Sequence, residues 1–257
     1  MATATMMSRA AFRASAPTRQ RGMIAGPDLP GTVLGSFPTA IYIHVPAGFG
    51  VIALLTRDAV RVPCGVQLPS SSGEFPLDRL SGPVRVGGGA LRIGTAEITV
   101  GRLVSVSVPR LPAPRRVRLD RIELSGIDVD LDVDVDVAEP ARLLGLGGGL
   151  TPSGDDVLAG YLAGAAAYGL AVDELRAFVC AEAPRRTTTL SAALLRHAAA
   201  GEAIPQVCRL LLALDDGMGT DDALAGLLRV GHTSGAALAA GVLGAARAAS
   251  APRAAAA

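Results

Sequence analysis

The spacing of hydrophobic and polar positions changes near residue 140. Before it, short β-branched runs at 39–45, 50–56, 84–86, 91–93, 97–100 and 103–108 are punctuated by Gly and Pro, with turn signals at Pro46-Ala47-Gly48 and Gly87-Gly88-Gly89. Short strands at near-regular spacing predict a small antiparallel sheet or barrel. Within 128–137, Asp128, Asp130, Asp132, Asp134 and Asp136 alternate with apolar residues. A period of two places the five carboxylates on one face of a strand. A solvated acidic edge, which discourages edge-to-edge pairing, accounts for this row better than a calcium ladder, because calcium loops use turns and carbonyls. Beyond residue 140 the apolar positions take a helical period, and the segments 153–168, 172–183, 189–200, 205–214, 221–229 and 234–248 read as helices. Thr151-Pro152 before the first of these and Gly169 after it, Gly201 after the third and Thr220 before the fifth are start and stop signals. Gly160 and Gly164 lie one turn apart, as do Ala240 and Gly244, so helices there can approach closely. The expected fold is α+β: a leader without structure over 1–30, a β-rich domain over 31–140, and an Ala/Gly-rich helical bundle over 141–250.

Composition sharpens this picture in a few places. Half of the 257 residues are hydrophobic, only 3% are aromatic and Trp is absent, so the core is built from Val, Leu, Ile and Ala. The 24 basic residues are all Arg, which fits a GC-rich bacterial coding sequence and excludes a Schiff-base lysine or a phosphate-loop lysine. A net charge of +1 leaves no electrostatic footprint for nucleic acid or a membrane surface. Cys64, Cys180 and Cys208 form no CxxC and no Cys/His cluster, so neither a zinc site nor a disulfide framework is expected, and buried free thiols in a cytoplasmic protein are. Arg9, Arg13, Arg19 and Arg21, with no acid before Asp28, give the first thirty residues the flavour of a transit peptide, but a continuous apolar segment is missing. The most apolar stretch, 157–172, is shorter than the roughly 20 residues of a membrane span and reads as a buried helix.

The chemistry concentrates at residues 145–156, where Gly145-Leu146-Gly147-Gly148-Gly149-Leu150-Thr151-Pro152-Ser153-Gly154-Asp155-Asp156 joins the two regions. Glycines free the backbone to approach a ligand. Thr151 is placed to cap the next helix with Pro152 as its first residue, and Ser153 with Asp156 fits a capping box. Amides at such a turn, with the helix dipole, suit a phosphate or carboxylate, to which the Thr151 and Ser153 hydroxyls add donors. Asp155 and Asp156 in the first turn favour the dipole but compete with an anion. They could bridge a divalent cation to phosphate, orient a substrate amide or transfer a proton, and acidic capping of a plain linker is the structural alternative. A second cluster, Gly231-His232-Thr233-Ser234-Gly235, opens the last helix, and Thr187-Thr188-Thr189 with Ser191 opens another. Capping explains each singly, while three such helix starts in one domain could also converge on one pocket. His44 and His197 have no comparable surroundings.

Residues 147–156 with Leu158-Ala159-Gly160 resemble the signature of the AllH (YlbF-like) family, long catalogued as a domain of unknown function. Residues 231–235 and 191–201 resemble its downstream motifs, and 31–33 through 52–54 its N-terminal strands. Gly148 stands where family members usually have Pro, which loosens the loop. The resemblance implies a subunit acting with two partner proteins, one succinyl-CoA-synthetase-like and one AllG-like, in carbamoyl transfer between oxalurate and phosphate. Under that reading Asp155, Asp156 and His232 are the candidate catalytic groups. Gly147, Gly148, Gly149, Thr151, Ser153, Gly154, Thr233 and Ser234 are the candidate binding groups for a small anionic substrate. A non-catalytic metabolite-binding or assembly subunit is the alternative.

Overall fold

In the computed structural model of the chain, residues 10–112, 137 and 139–251 are described. The five aspartates of the 128–137 row lie outside the described residues. The chain divides into two compact units between Ser105 and Val106.

The first unit is a closed eight-stranded barrel. Its strands are β1 (Ala10–Pro17), β2 (Leu29–Ser36), β3 (Ala40–His44), β4 (Val51–Leu55), β5 (Gly65–Gln67), β6 (Val84–Gly87), β7 (Ala90–Ile93) and β8 (Ala96–Val104), with helix α1 (Arg21–Ala25) after β1. Around the barrel the order is β1-β5-β4-β3-β2-β6-β7-β8. Six of the pairings are antiparallel, but β4 with β5 and β1 with β8 run parallel, so the barrel is mixed and not purely antiparallel as expected. Ile41 opposite Leu54 and Leu91 opposite Ile98 are typical of the cross-strand pairs, and all four side chains are buried. With almost no aromatic residues, the interior is filled by aliphatic chains such as Ile43, Ile52, Val66 and Val86, which suit a narrow barrel.

Two features of this unit correct the sequence reading. Residues 10–30 are not a leader without structure: they supply β1, α1 and the start of β2. Ala14 and Ala16 of β1 are buried and Phe12 packs on the same core, an alternation of period two that the intervening Arg13 and small residues conceal. The second correction concerns the boundary. The expected strand 103–108 ends at Val104, and the chain from Val106 onward joins the helical unit. There Ala203 N–H donates to Val106 O at 3.0 Å, Val108 N–H to Gly201 O at 2.9 Å and Leu111 N–H to Ala167 O at 2.9 Å.

The second unit is helical: α2 (Pro140–Leu143), α3 (Ser153–Tyr168), α4 (Asp173–Arg186), α5 (Thr189–Ala199), α6 (Pro205–Asp216), α7 (Thr220–Leu228) and α8 (Ser234–Ser250). Helix α3 is apolar on nearly every side and is buried along almost its whole length, which makes it the axis of the unit. It ends at Gly169 in the left-handed conformation, whose N–H returns to Ala165 O. Against α8 it packs backbone to backbone. A Cβ at Gly160 would lie 2.2 Å from Leu238 O, and one at Gly241 would lie 2.1 Å from Val157 O. Leu158, Leu162, Leu195 and Ala237 belong to the core that α3 shares with its neighbours. No helix among the described residues is long and apolar enough to cross a membrane. The cysteines are free, and of the three expected to be buried only Cys64 is: Cys208 is half-buried and Cys180 exposed.

Candidate functional site

The site grows from the start of α3. Pro152, with extended ψ of 140°, is the cap residue, and Ser153 is the first helical residue. Thr151 is therefore not the N-cap, and no side chain caps this end; the expected Ser153–Asp156 capping box does not form. The first turn is satisfied by its own backbone instead: Gly154 N–H donates to Leu146 O at 2.9 Å, and Asp155 N–H and Asp156 N–H donate to Pro152 O at 3.0 and 3.2 Å. Gly154 is thus spent on folding the loop back, and a Cβ there would strike Leu143 O at 2.0 Å. Gly147 takes a φ of +108°, a conformation other residues rarely adopt, and brings the loop against Ser153. Gly147, Gly148 and Gly149 are exposed. Among the described residues no backbone hydrogen bond uses the amides of 147–151, so these donors on an exposed loop have no backbone partner.

The hydroxyls freed from capping reach across to the start of α8. Thr151 Oγ1 pairs with Ser234 Oγ at 3.1 Å, and Ser153 Oγ pairs with Thr233 Oγ1 at 3.1 Å. Thr233 is the cap residue of α8, yet its side chain makes no capping bond. The two helix starts are therefore brought together by four hydroxyls. His232, in the turn just before, is exposed.

The two neighbouring aspartates have unlike environments, as their separation of about 100° around a helix requires. Asp155, 1% exposed, accepts hydrogen bonds from Gly145 N–H at 2.7 Å, from Ser191 Oγ at 2.6 Å and from Thr187 Oγ1. It ties the loop to the start of α5, where Thr188 caps the helix by accepting from Ser191 N–H at 3.0 Å. Sequence reasoning read Thr187 and Ser191 as capping residues at a helix start that could converge with two others on one pocket, and their partner, 32 and 36 residues away, carried no signal. Asp156, 7% exposed, is the opposite case: its Oδ2 is buried without a partner. Burial pushes the Asp156 carboxyl up to about 7; the hydroxyls of Ser234 and Thr151 act against this, and the charge of Asp155 adds to it.

That environment has a measurable consequence for stability. With its folded value above the unfolded one, Asp156 binds a proton more tightly in the fold, so its contribution is full below the unfolded value of 3.8 and is lost as pH rises toward about 7. Asp156→Asn keeps the shape without the charge. The variant is expected to match the wild type near pH 4 and to exceed it above pH 7 by roughly 1–4 kcal/mol. Denaturant melts at pH 4, 6 and 8 check this, and equal stability at pH 8 contradicts it.

A further polar pair was missed in the sequence. His197 Nδ1 lies 2.6 Å from Glu202 Oε2, and both residues are buried. They flank the end of α5, and a His followed by an acid just past a helix-ending Gly was the available hint. Among the described residues no cluster of three or more His, Cys, Asp or Glu could hold a metal ion, and the donors on Asp155 already occupy its oxygens.

No solved structure significantly matches the chain. A family model, described as oxamate carbamoyltransferase subunit AllH, matches residues 143–246, which run from the end of α2 into α8 and include both hydroxyl-bearing helix starts. This region, which holds the glycine loop, Asp155, Asp156 and the 231–235 turn, is thus similar to the AllH family, whose name describes a subunit of oxamate carbamoyltransferase.

Proposed function

We propose that this chain is a subunit of an oxamate carbamoyltransferase-like enzyme and holds the anionic reactants of carbamoyl transfer between oxalurate and phosphate. The observation that carries the reading is the coincidence of the family match, 143–246, with an exposed loop whose amides have no backbone partner, flanked by four hydroxyls from two helix starts. In the reaction a phosphate oxygen bonds to the ureido carbonyl carbon, the bond from that carbon to the oxamate nitrogen breaks, and the nitrogen takes up a proton. Carbamoyl phosphate and oxamate result. Both reactants are anions, and the attacked carbonyl oxygen gathers charge, so backbone amides and hydroxyls are the donors this chemistry asks for. Gly147, Gly148, Gly149, Thr151, Ser153, Thr233 and Ser234 supply them, and Asp155 is assigned to positioning the loop. His232 and Asp156 are the ionisable groups left to move protons.

The test is an assay of the full chain with oxalurate and phosphate, alone and with succinyl-CoA-synthetase-like and AllG-like partner subunits, following carbamoyl phosphate and oxamate. Turnover in the complete mixture is expected, with Thr151→Val combined with Ser234→Ala lowering it by about 10²-fold or more. Binding of either anion without turnover in any mixture would favour a metabolite-binding subunit instead.

A further inference from the structure

The Asp156 carboxyl, one oxygen of which is orphaned, lies beside the paired hydroxyls of Thr151 and Ser234. Oδ2 is shut off from solvent and has no hydrogen-bond partner. The carboxyl meets the hydroxyls of Ser234 and Thr151, which bond to each other at 3.1 Å and are themselves half-buried. Counting protons shows what the group controls. Thr151 and Ser234 own one hydroxyl proton each. When Asp156 is ionised, one of these lies in the Thr151–Ser234 bond and the other is drawn to the carboxylate, so neither is left to face an anion. When Asp156 is protonated, its O–H donates to one hydroxyl, that hydroxyl donates to the other, and the last proton points outward.

We propose that Asp156 holds the proton of an oxyanion site formed by Thr151, Ser234 and the unbonded amides of Gly147–Gly149, and that an anion binds there together with one proton. The inference rests on the reading of this loop as the anion-holding part of the protein. Of the helices packed on α3, α6 carries Arg209, Asp215 and Asp216. Asp155, on α3 itself, raises the proton affinity of Asp156. Helix α8 has no ionisable side chain before Arg247 and α5 none before Arg196; α2 carries Arg142, and the Arg186 guanidinium at the end of α4 donates to Ala141 O at 2.6 Å. His232 lies exposed in the turn before α8.

Sulfate is the probe, because it is a tetrahedral dianion that does not itself titrate between pH 5 and 9. Calorimetric titration of the full chain in buffers of different ionisation enthalpy is expected to show uptake approaching one proton per sulfate at pH 8 and none at pH 5. The wild-type Kd is expected to rise ~tenfold per pH unit above about 7. Asp156→Asn, whose amide donates at every pH, is expected to bind with a Kd that is flat from pH 6 to 8.5. Zero proton uptake by the wild type at pH 8, a wild-type pH dependence retained in Asp156→Asn, or its loss in His232→Gln in place of Asp156→Asn would each overturn the inference while leaving the anion site standing. Absence of sulfate binding at pH 6 by both proteins would overturn the anion site and this inference with it.

Discussion

Replacing Asp155 by Ala is expected to destabilise the helical unit by roughly 3–5 kcal/mol, because it strips a buried carboxylate from donors on separate elements. Gly145 N–H belongs to the loop and cannot turn away, whereas Thr187 and Ser191 hydroxyls can rotate but have been drawn inward to this acceptor. Bonds to an ionised acceptor are worth more than neutral ones, about 1.5–3 kcal/mol each, and the loss is not fully additive since the hydroxyls can find other partners. Asp155→Asn retains one acceptor oxygen and turns an amide toward the remaining donors, so about half of the effect is expected. A chemical melt read by far-ultraviolet circular dichroism checks both variants. A loss below about 1 kcal/mol for Asp155→Ala would mean that the three donors are satisfied elsewhere. The contrast with Asp156→Asn, which is expected to raise stability at alkaline pH, separates the two carboxylates on a single readout.

The second large effect is expected where α3 and α8 touch. A methyl group added at Gly160 would meet Leu238 O at 2.2 Å, and one at Gly241 would meet Val157 O at 2.1 Å, both distances that backbone cannot yield without separating the helices. Gly160→Ala and Gly241→Ala should each cost about 2–4 kcal/mol, more than the ~1 kcal/mol that Ala contributes over Gly in a helix. Gly244→Ala provides the internal comparison: its Cβ would lie 3.6 Å from Tyr161 Cδ2, an ordinary contact, so that variant is expected to gain about 0.5–1 kcal/mol. The same substitution thus changes sign within one turn of α8. If Gly160→Ala proved neutral, the close approach of the two helices would be refuted.

These two sites also show what was legible from residues alone. Helix α3 runs from Ser153 to Tyr168 as expected, because Pro152 and Gly169 are local signals that act on the backbone next to them. The small residues of α3 and α8 announced close packing, since spacing of one turn is a property of a single helix. The hydroxyls of Thr151, Ser153, Thr233 and Ser234 were visible as helix-start residues, but their choice of each other over their own helix ends is a tertiary event without a local mark. Strand β1 escaped notice for a related reason: Ala and Ser alternate with too little contrast to set a period, and only the neighbouring strands decide which face is inward.

The barrel seam carries a consequence for how the chain is made. Strand β1 is bonded along its full length to β8, from Ala10 beside Ala96 to Pro17 beside Val104, and its other neighbour, β5, meets it only at Ser15 and Gln67. A ribosome delivering the chain from its N-terminus therefore releases the first strand long before its principal mate exists. Until residues 96–104 emerge, β1 has an unpaired edge, and the intervening hairpins β2–β3, β3–β4 and β6–β7 can form without it. Nascent chains stalled before that point would present an open edge to one another, so crowded polysomes are where this protein is most exposed to mispairing.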